Sequence, residues 1–88
     1  MTQKTTKFPQ RAWADVSDEL RRAREMRLSF VDLENSGLNR IPDPVFELTD
    51  VETLDLSENR LQSIPERLWD RPKLKGVILV GNLQPGIV

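Results

Sequence analysis

Apolar positions along this chain follow two periods, one before residue 28 and one after it. From residue 28 onward the sequence overlays on itself at an offset of 23 residues. LSFVDLENSGLNRIPDPVFELTD (28–50) lies over VETLDLSENRLQSIPERLWDRPK (51–73), and that over LKGVILVGNLQPGIV (74–88). Leu28, Val51 and Leu74 share a column, as do Val31, Leu54 and Val77. Leu33, Leu56 and Leu79 follow, and Ile41, Ile64 and Ile87 close the set. Leu38 and Leu61 form a further column, which Gln84 interrupts. A fixed period of this size marks stacked supersecondary units, each too small to bury its apolar face alone.

Inside each unit the apolar residues alternate, which predicts a short strand with one face inward. The inward pairs are Val31 and Leu33, Leu54 and Leu56, and Val77 and Leu79. Units stacked in parallel about 4.8 Å apart would join these strands into one ladder. A polar column, Ser36, Asn59 and Asn82, sits where the chain leaves each strand. A buried turn holds backbone amides that no ladder satisfies, and a carboxamide can both donate to and accept from them. Ser36 can do less, which marks its unit as the first. Pro42 and Pro65 end the bend, and the chain returns with Val45, Leu48 and Leu68 pointing inward. Arg71 stands in the column of Leu48 and is followed by Pro72, so the second return is expected to be less buried and irregular or 3₁₀-like. The returns are expected to be mostly irregular, with helix only before the repeats. The expected core is Leu33, Leu38, Ile41, Leu54, Leu56, Leu61, Ile64, Leu74 and Leu79.

Before residue 28 the period is helical. Trp13, Val16, Leu20 and Ala23 form one stripe, which predicts a helix within 12–27 lying over the first unit, with Trp13 as a plug. Asp15 or Ser17 is its expected N-cap. Residues 1–11 read as a flexible tail.

The stretch VETLDLSENRLQSIPERLW (51–69) resembles the leucine-rich repeat, in the 23-residue form of Ras-suppressor-like proteins. The likeness covers 28–88 in a fixed register. It implies an α/β fold: a short right-handed solenoid of about two and a half repeats (28–50, 51–73 and a partial 74–88). A short parallel sheet would line its concave face, and 12–27 would be its N-terminal helical cap. The likeness also implies that a partner protein docks on the concave face. Phe30, Asp32, Glu34 and Asn35 would form it in the first unit, and Thr53, Asp55, Ser57 and Glu58 in the second. Gly76, Ile78, Val80 and Gly81 would complete it. The first two units are acidic there and the third apolar, with Asp32 beside Asp55. Phe30, Ile78 and Val80 would anchor a partner amid polar surroundings.

Val77, Ile78, Leu79 and Val80 are apolar on both faces, unlike the earlier strands. An edge of that kind invites pairing with another strand. Three readings stand open: a fragment of a longer repeat protein, self-association of copies through this edge, or a last segment folded back over it. Self-association would make the chain a structural unit that extends the solenoid.

Composition narrows the chemistry. The 88 residues include no cysteine, histidine or tyrosine. Disulfides, zinc-thiolate sites, thiol nucleophiles and imidazole bases are therefore excluded. Ser57 and Ser63 lack a histidine to activate them, and Gly81 and Gly86 stand in no phosphate-loop motif. No enzyme activity, cofactor or metal is expected, since an oxygen-only metal site needs more ligands than Asp32, Asp55 and Glu58 supply. Residues 1–27 carry seven basic and four acidic side chains, and the remainder six and ten. Arg21, Arg22, Arg24 and Arg27 read as a solvated helix face, so no nucleic acid partner is expected. No apolar run approaches the roughly 20 residues of a membrane span. With no secretory h-region the expected location is cytoplasmic, a secreted effector on a non-classical route remaining open.

Overall fold

The computed structural model describes residues 9–82. In chain order these form helix α1 (Trp13–Glu25), strand β1 (Phe30–Asp32), a first 3₁₀ helix (Asp43–Glu47), strand β2 (Thr53–Asp55), a second 3₁₀ helix (Glu66–Asp70) and strand β3 (Gly76–Ile78). The strands make one parallel sheet in the order β1-β2-β3. Its register is the 23-residue offset of the sequence: Phe30, Thr53 and Gly76 align, then Val31, Leu54 and Val77, then Asp32, Asp55 and Ile78.

Parallel neighbours need a crossover, and each is made by the same device. Pro42 and Pro65 both hold φ −63° and ψ 142° immediately before a five-residue 3₁₀ helix. Each helix places one residue, Val45 or Leu68, fully inside. The expectation of helix only before the repeats is corrected here, since both returns carry a 3₁₀ helix, which for the second is the 3₁₀-like form the sequence allows. A 3₁₀ segment advances the chain further per residue than an α-helix does, so five residues serve both as crossover and as inner wall.

The core lies between sheet and returns. Leu33, Leu38, Ile41, Leu54, Leu56 and Leu61 are buried as expected, joined by Val31, Val45, Leu48, Val51 and Leu68. Ile64, Leu74 and Leu79 are only half-buried and pack against this cluster from one side. They belong to the last described part of the stack, where neighbours among the described residues cover them on one side.

The polar column works as a second ladder. Asn59 is buried, and its Oδ1 accepts from the N–H groups of Ser36 and Leu38, both at 3.0 Å. Its Nδ2 donates to the carbonyls of Leu33 and Leu56 at 2.9 Å and of Ser57 at 3.1 Å. Asn82 repeats this one unit on, accepting from Leu61 N–H and donating to Leu56 and Leu79. Ser36 uses its hydroxyl to donate to Glu34 C=O.

Helix α1 lies against β1 through Val16, Leu20 and Ala23, all buried. Trp13, expected as a plug, is 58% exposed. It occupies the first helical position, and helical side chains tilt toward the N-terminus. It therefore lies on the rim of an open groove with Leu20, Arg24 and Pro44. The helix opens at Ala12, not at Asp15 or Ser17. Asp15 instead reaches back to the Ala12 N–H at 3.2 Å, which is half of a capping box because alanine has no side-chain oxygen. The helix closes with Leu28 N–H bonded to Ala23 C=O and Arg27 left-handed at φ 54°.

Two side chains finish the outer edge of β1. Glu19 of α1 accepts the Asp32 N–H at 3.1 Å, and the Arg11 guanidinium donates to the Asp32 C=O. Arg11 N–H also bonds to Asn35 C=O at 2.9 Å. Arg11 thus departs from the flexible stretch 1–11 in which the sequence places it. A carboxylate and a guanidinium here supply the acceptor and donor that a neighbouring strand would offer.

Candidate functional site

The sheet face away from the core is built by the odd-and-even alternation of short strands. Phe30, Thr53 and Gly76 form one row across it, and Asp32, Asp55 and Ile78 the next. Beyond them Asn35, Glu58 and Gly81 adopt left-handed conformations with φ of 52°, 56° and 83°. This third row turns each unit away from its strand at the same point. The face is apolar at two corners. Phe30 is 50% exposed at one, and Ile78 and Val80 are 39% and 71% exposed at the other.

Between these corners stand the carboxylates. Asp32, Glu34 and Asp55 bring carboxylate oxygens within 4.8 Å of one another. Each aspartate is already held. Asp32 pairs with Arg11 at 3.0 Å through Oδ2 and accepts Glu34 N–H through Oδ1. Asp55 Oδ1 accepts the Ser57 N–H at 3.0 Å and the Ser57 hydroxyl at 2.6 Å. The pair of aspartates expected side by side is therefore real, and Arg11 supplies its cation. Glu58 lies further along the face, where its carboxylate covers Gly81. A Cβ on Gly81 would come within 2.6 Å of Glu58 Oε2.

Eleven of the twelve residues expected to form this face keep half-buried or exposed surface: Phe30, Asp32, Glu34, Asn35, Thr53, Asp55, Glu58, Gly76, Ile78, Val80 and Gly81. Ser57 does not. It is buried, and its hydroxyl is spent on Asp55. The same alternation divides the expected pairing edge. Val77 and Leu79 turn inward and are half-buried, while Ile78 and Val80 are exposed.

Arg11 and Glu19 are the residues beside this face that sequence pattern misses. Neither belongs to an apolar column, and their partner Asp32 lies 21 and 13 residues away. Only the packing of α1 on β1 reveals them. The arginines of α1 are exposed and ion-paired. Arg21 pairs with Asp18 and Glu25, Arg22 with Glu19, and Arg24 with Glu47. No helix among the described residues is long and apolar enough to cross a membrane.

The face thus sets Arg11 and the carboxylates of Asp32, Glu34 and Asp55 between exposed apolar side chains. No curated protein and no solved structure matches the chain. A family model described as a leucine rich repeat matches residues 26–83, a span that takes in all three strands, both 3₁₀ helices and the asparagine ladder. The chain belongs to the leucine-rich repeat family.

Proposed function

We propose that this chain is a non-catalytic module that binds a partner protein on its exposed sheet face. Leucine-rich repeat domains generally mediate protein–protein interaction. In this reading the 23-residue units form a short solenoid of the Ras-suppressor-like type, α1 is its N-terminal cap, and the sheet is its concave surface.

One observation carries the proposal. The face sets Phe30, Ile78 and Val80, all exposed, around Asp32, Glu34, Asp55 and Glu58, with Arg11 paired to Asp32. A partner that fits is a basic segment with an aliphatic or aromatic anchor beside its lysines or arginines. Desolvated apolar anchors supply affinity, and the exposed charges steer and orient.

Selection from a random peptide library tests this directly. Basic peptides carrying an apolar residue should be enriched, and their binding should weaken as salt rises. Amide shifts on binding should cluster at Phe30, Asp55 and Ile78. Phe30→Glu and Glu34→Lys should each abolish the interaction while leaving the fold intact. Enrichment of acidic or neutral peptides, or shifts confined to the outer 3₁₀ face, would sink the proposal.

A further inference from the structure

The two edges of the sheet are not alike. At β1 the outward Asp32 N–H and C=O are filled by Glu19 and Arg11. At β3 the situation is the reverse. Gly76 N–H bonds to Glu52 C=O, while Ile78 and Val80 carbonyls accept from Leu56 and Glu58 N–H. Even-numbered residues of β3 therefore face β2. By strand alternation the N–H and C=O groups of Val77 and Leu79 face the other way. Among the described residues, only Asn82 Nδ2, on Leu79 C=O, bonds to any of these four groups. A carbonyl has a second lone pair, so Leu79 can still accept.

A copy stacking head to tail would need a free β1 edge, and Glu19 of α1 and Arg11 already fill its Asp32 groups. Extension into an open-ended chain of copies would have to displace both. A two-fold axis needs only β3. We infer that two copies of this chain pair β3 against β3 in antiparallel fashion, about an axis at Ile78, to make a closed dimer. This goes beyond the partner-binding reading and does not depend on it.

The register follows from which groups face outward. Val77 lies opposite Leu79 of the second copy and exchanges both hydrogen bonds with it, and the symmetric pair does the same. Ile78 lies opposite Ile78 of the second copy as a non-hydrogen-bonded pair, with α-carbons about 4.5 Å apart. Gly76 lies opposite Val80. Nothing stands within 4 Å of where a Cβ of Gly76 would be, so that space receives the valine. On the inner face Val77 and Leu79 of each copy meet, which covers the half-buried end of both cores. The ends of the strand complement one another in charge. Lys75, exposed and paired with Glu52 at 3.6 Å, precedes β3, and Glu58 lies over Gly81 beyond it. Antiparallel pairing sets Lys75 of each copy opposite Gly81 of the other, beside its Glu58. The contact is isologous and leaves no strand edge for a third copy.

Light scattering behind size exclusion, from about 1 µM to about 1 mM, should show mass rising from 10.2 kDa to a plateau at twice that value. Charge exchange tests the register. Lys75→Glu alone and Glu58→Lys alone should each remain monomeric, because each dimer would oppose like charges twice. An equimolar mixture of the two variants should dimerise, because both contacts become opposite in sign. The natural chain has no cysteine, so Ile78→Cys provides a second reading that leaves the charges untouched. Its α-carbon spacing in the dimer suits a disulfide. Under mild oxidation it should form a covalent dimer at least about tenfold faster than Phe30→Cys, the paired site having a high effective concentration. A mass that stays at 10.2 kDa across the range, or climbs past the dimer, overturns the inference. So does a mixture no more dimeric than its parts, or equal rates for the two cysteine variants. If removing residues 83–88 turns a monomer into a dimer, that segment is the occupant of the edge instead.

Discussion

The Arg11 guanidinium holds Asp32 twice, by its backbone carbonyl and by its carboxylate at 3.0 Å. Glu19 takes the N–H of the same residue. Together they end the sheet at β1 with side chains in place of a strand. Glu19→Ala leaves a part-buried N–H without an acceptor and should cost about 1–3 kcal/mol, while Arg11→Ala should cost about 1 kcal/mol because water can reach the carbonyl. Urea unfolding would show both as a lower midpoint at unchanged slope. Because both act on Asp32, the double variant should depart from the sum of the singles. If neither variant moves the midpoint, the edge needs no finishing.

Asn59 carries a larger share. Its substitution by alanine strands the amides of Ser36 and Leu38 inside the protein. Each buried, unpaired amide costs about 1–3 kcal/mol, so the loss approaches the whole stability of a small domain, about 5 kcal/mol. Asn59→Ala should therefore be largely unfolded by circular dichroism at room temperature. Asn82 serves one N–H, that of Leu61, at a part-buried site. Asn82→Ala should fold with a lowered melting temperature. Equal behaviour of the two variants would show that burial does not set the strength of the ladder.

The repeat register, the inward columns and the row order across the sheet were all legible in the sequence. The reason is that a 23-residue translation maps each unit onto the next, so one unit's pattern checks another's. What the columns cannot display is what meets the ends of the stack. Trp13 shares the stripe of Val16 and Leu20 yet lies exposed, because its place in the first turn decides its direction. Ile64, Leu74 and Leu79 share core columns yet stay half-buried, because depth depends on neighbours on both sides. Arg11 and Glu19 have no counterpart one unit on, so nothing in the period points to them. At the candidate site the outward residues follow from alternation, whereas alternation does not reveal that Ser57 is buried and bonded to Asp55.

That contrast gives a gradient in the core. Leu56 is fully buried, with neighbours on both sides of the stack. Leu56→Ala should cost about 2–5 kcal/mol. Leu79→Ala, in the same column, should cost only about 1 kcal/mol, because less apolar surface is removed from contact. Trp13→Ala should fall below about 1 kcal/mol, as substitutions at exposed positions usually do. Chemical denaturation of the three variants should return this order. A Trp13→Ala loss equal to that of Leu56→Ala would restore the tryptophan to the plug role.

Arg71 is the last departure from the column pattern, and substitution there should stabilise. It stands one unit after Leu48, which is buried and apolar. Its Nη1 reaches the Leu48 carbonyl only at 3.5 Å, beyond the usual hydrogen-bond range, and its Nε is buried with no partner among the described residues. Half-buried cationic surface with an unpaired N–H is unfavourable, and a leucine of similar reach removes both faults. Arg71→Leu should raise stability by about 1–2 kcal/mol, read as a higher urea midpoint. Arg71→Lys should lower it, since the ammonium is more strongly hydrated than the guanidinium and is costlier to hold there. If Arg71→Leu is destabilising instead, the arginine's contact with the Leu48 carbonyl outweighs its buried nitrogen, and the second return path is held by that bond.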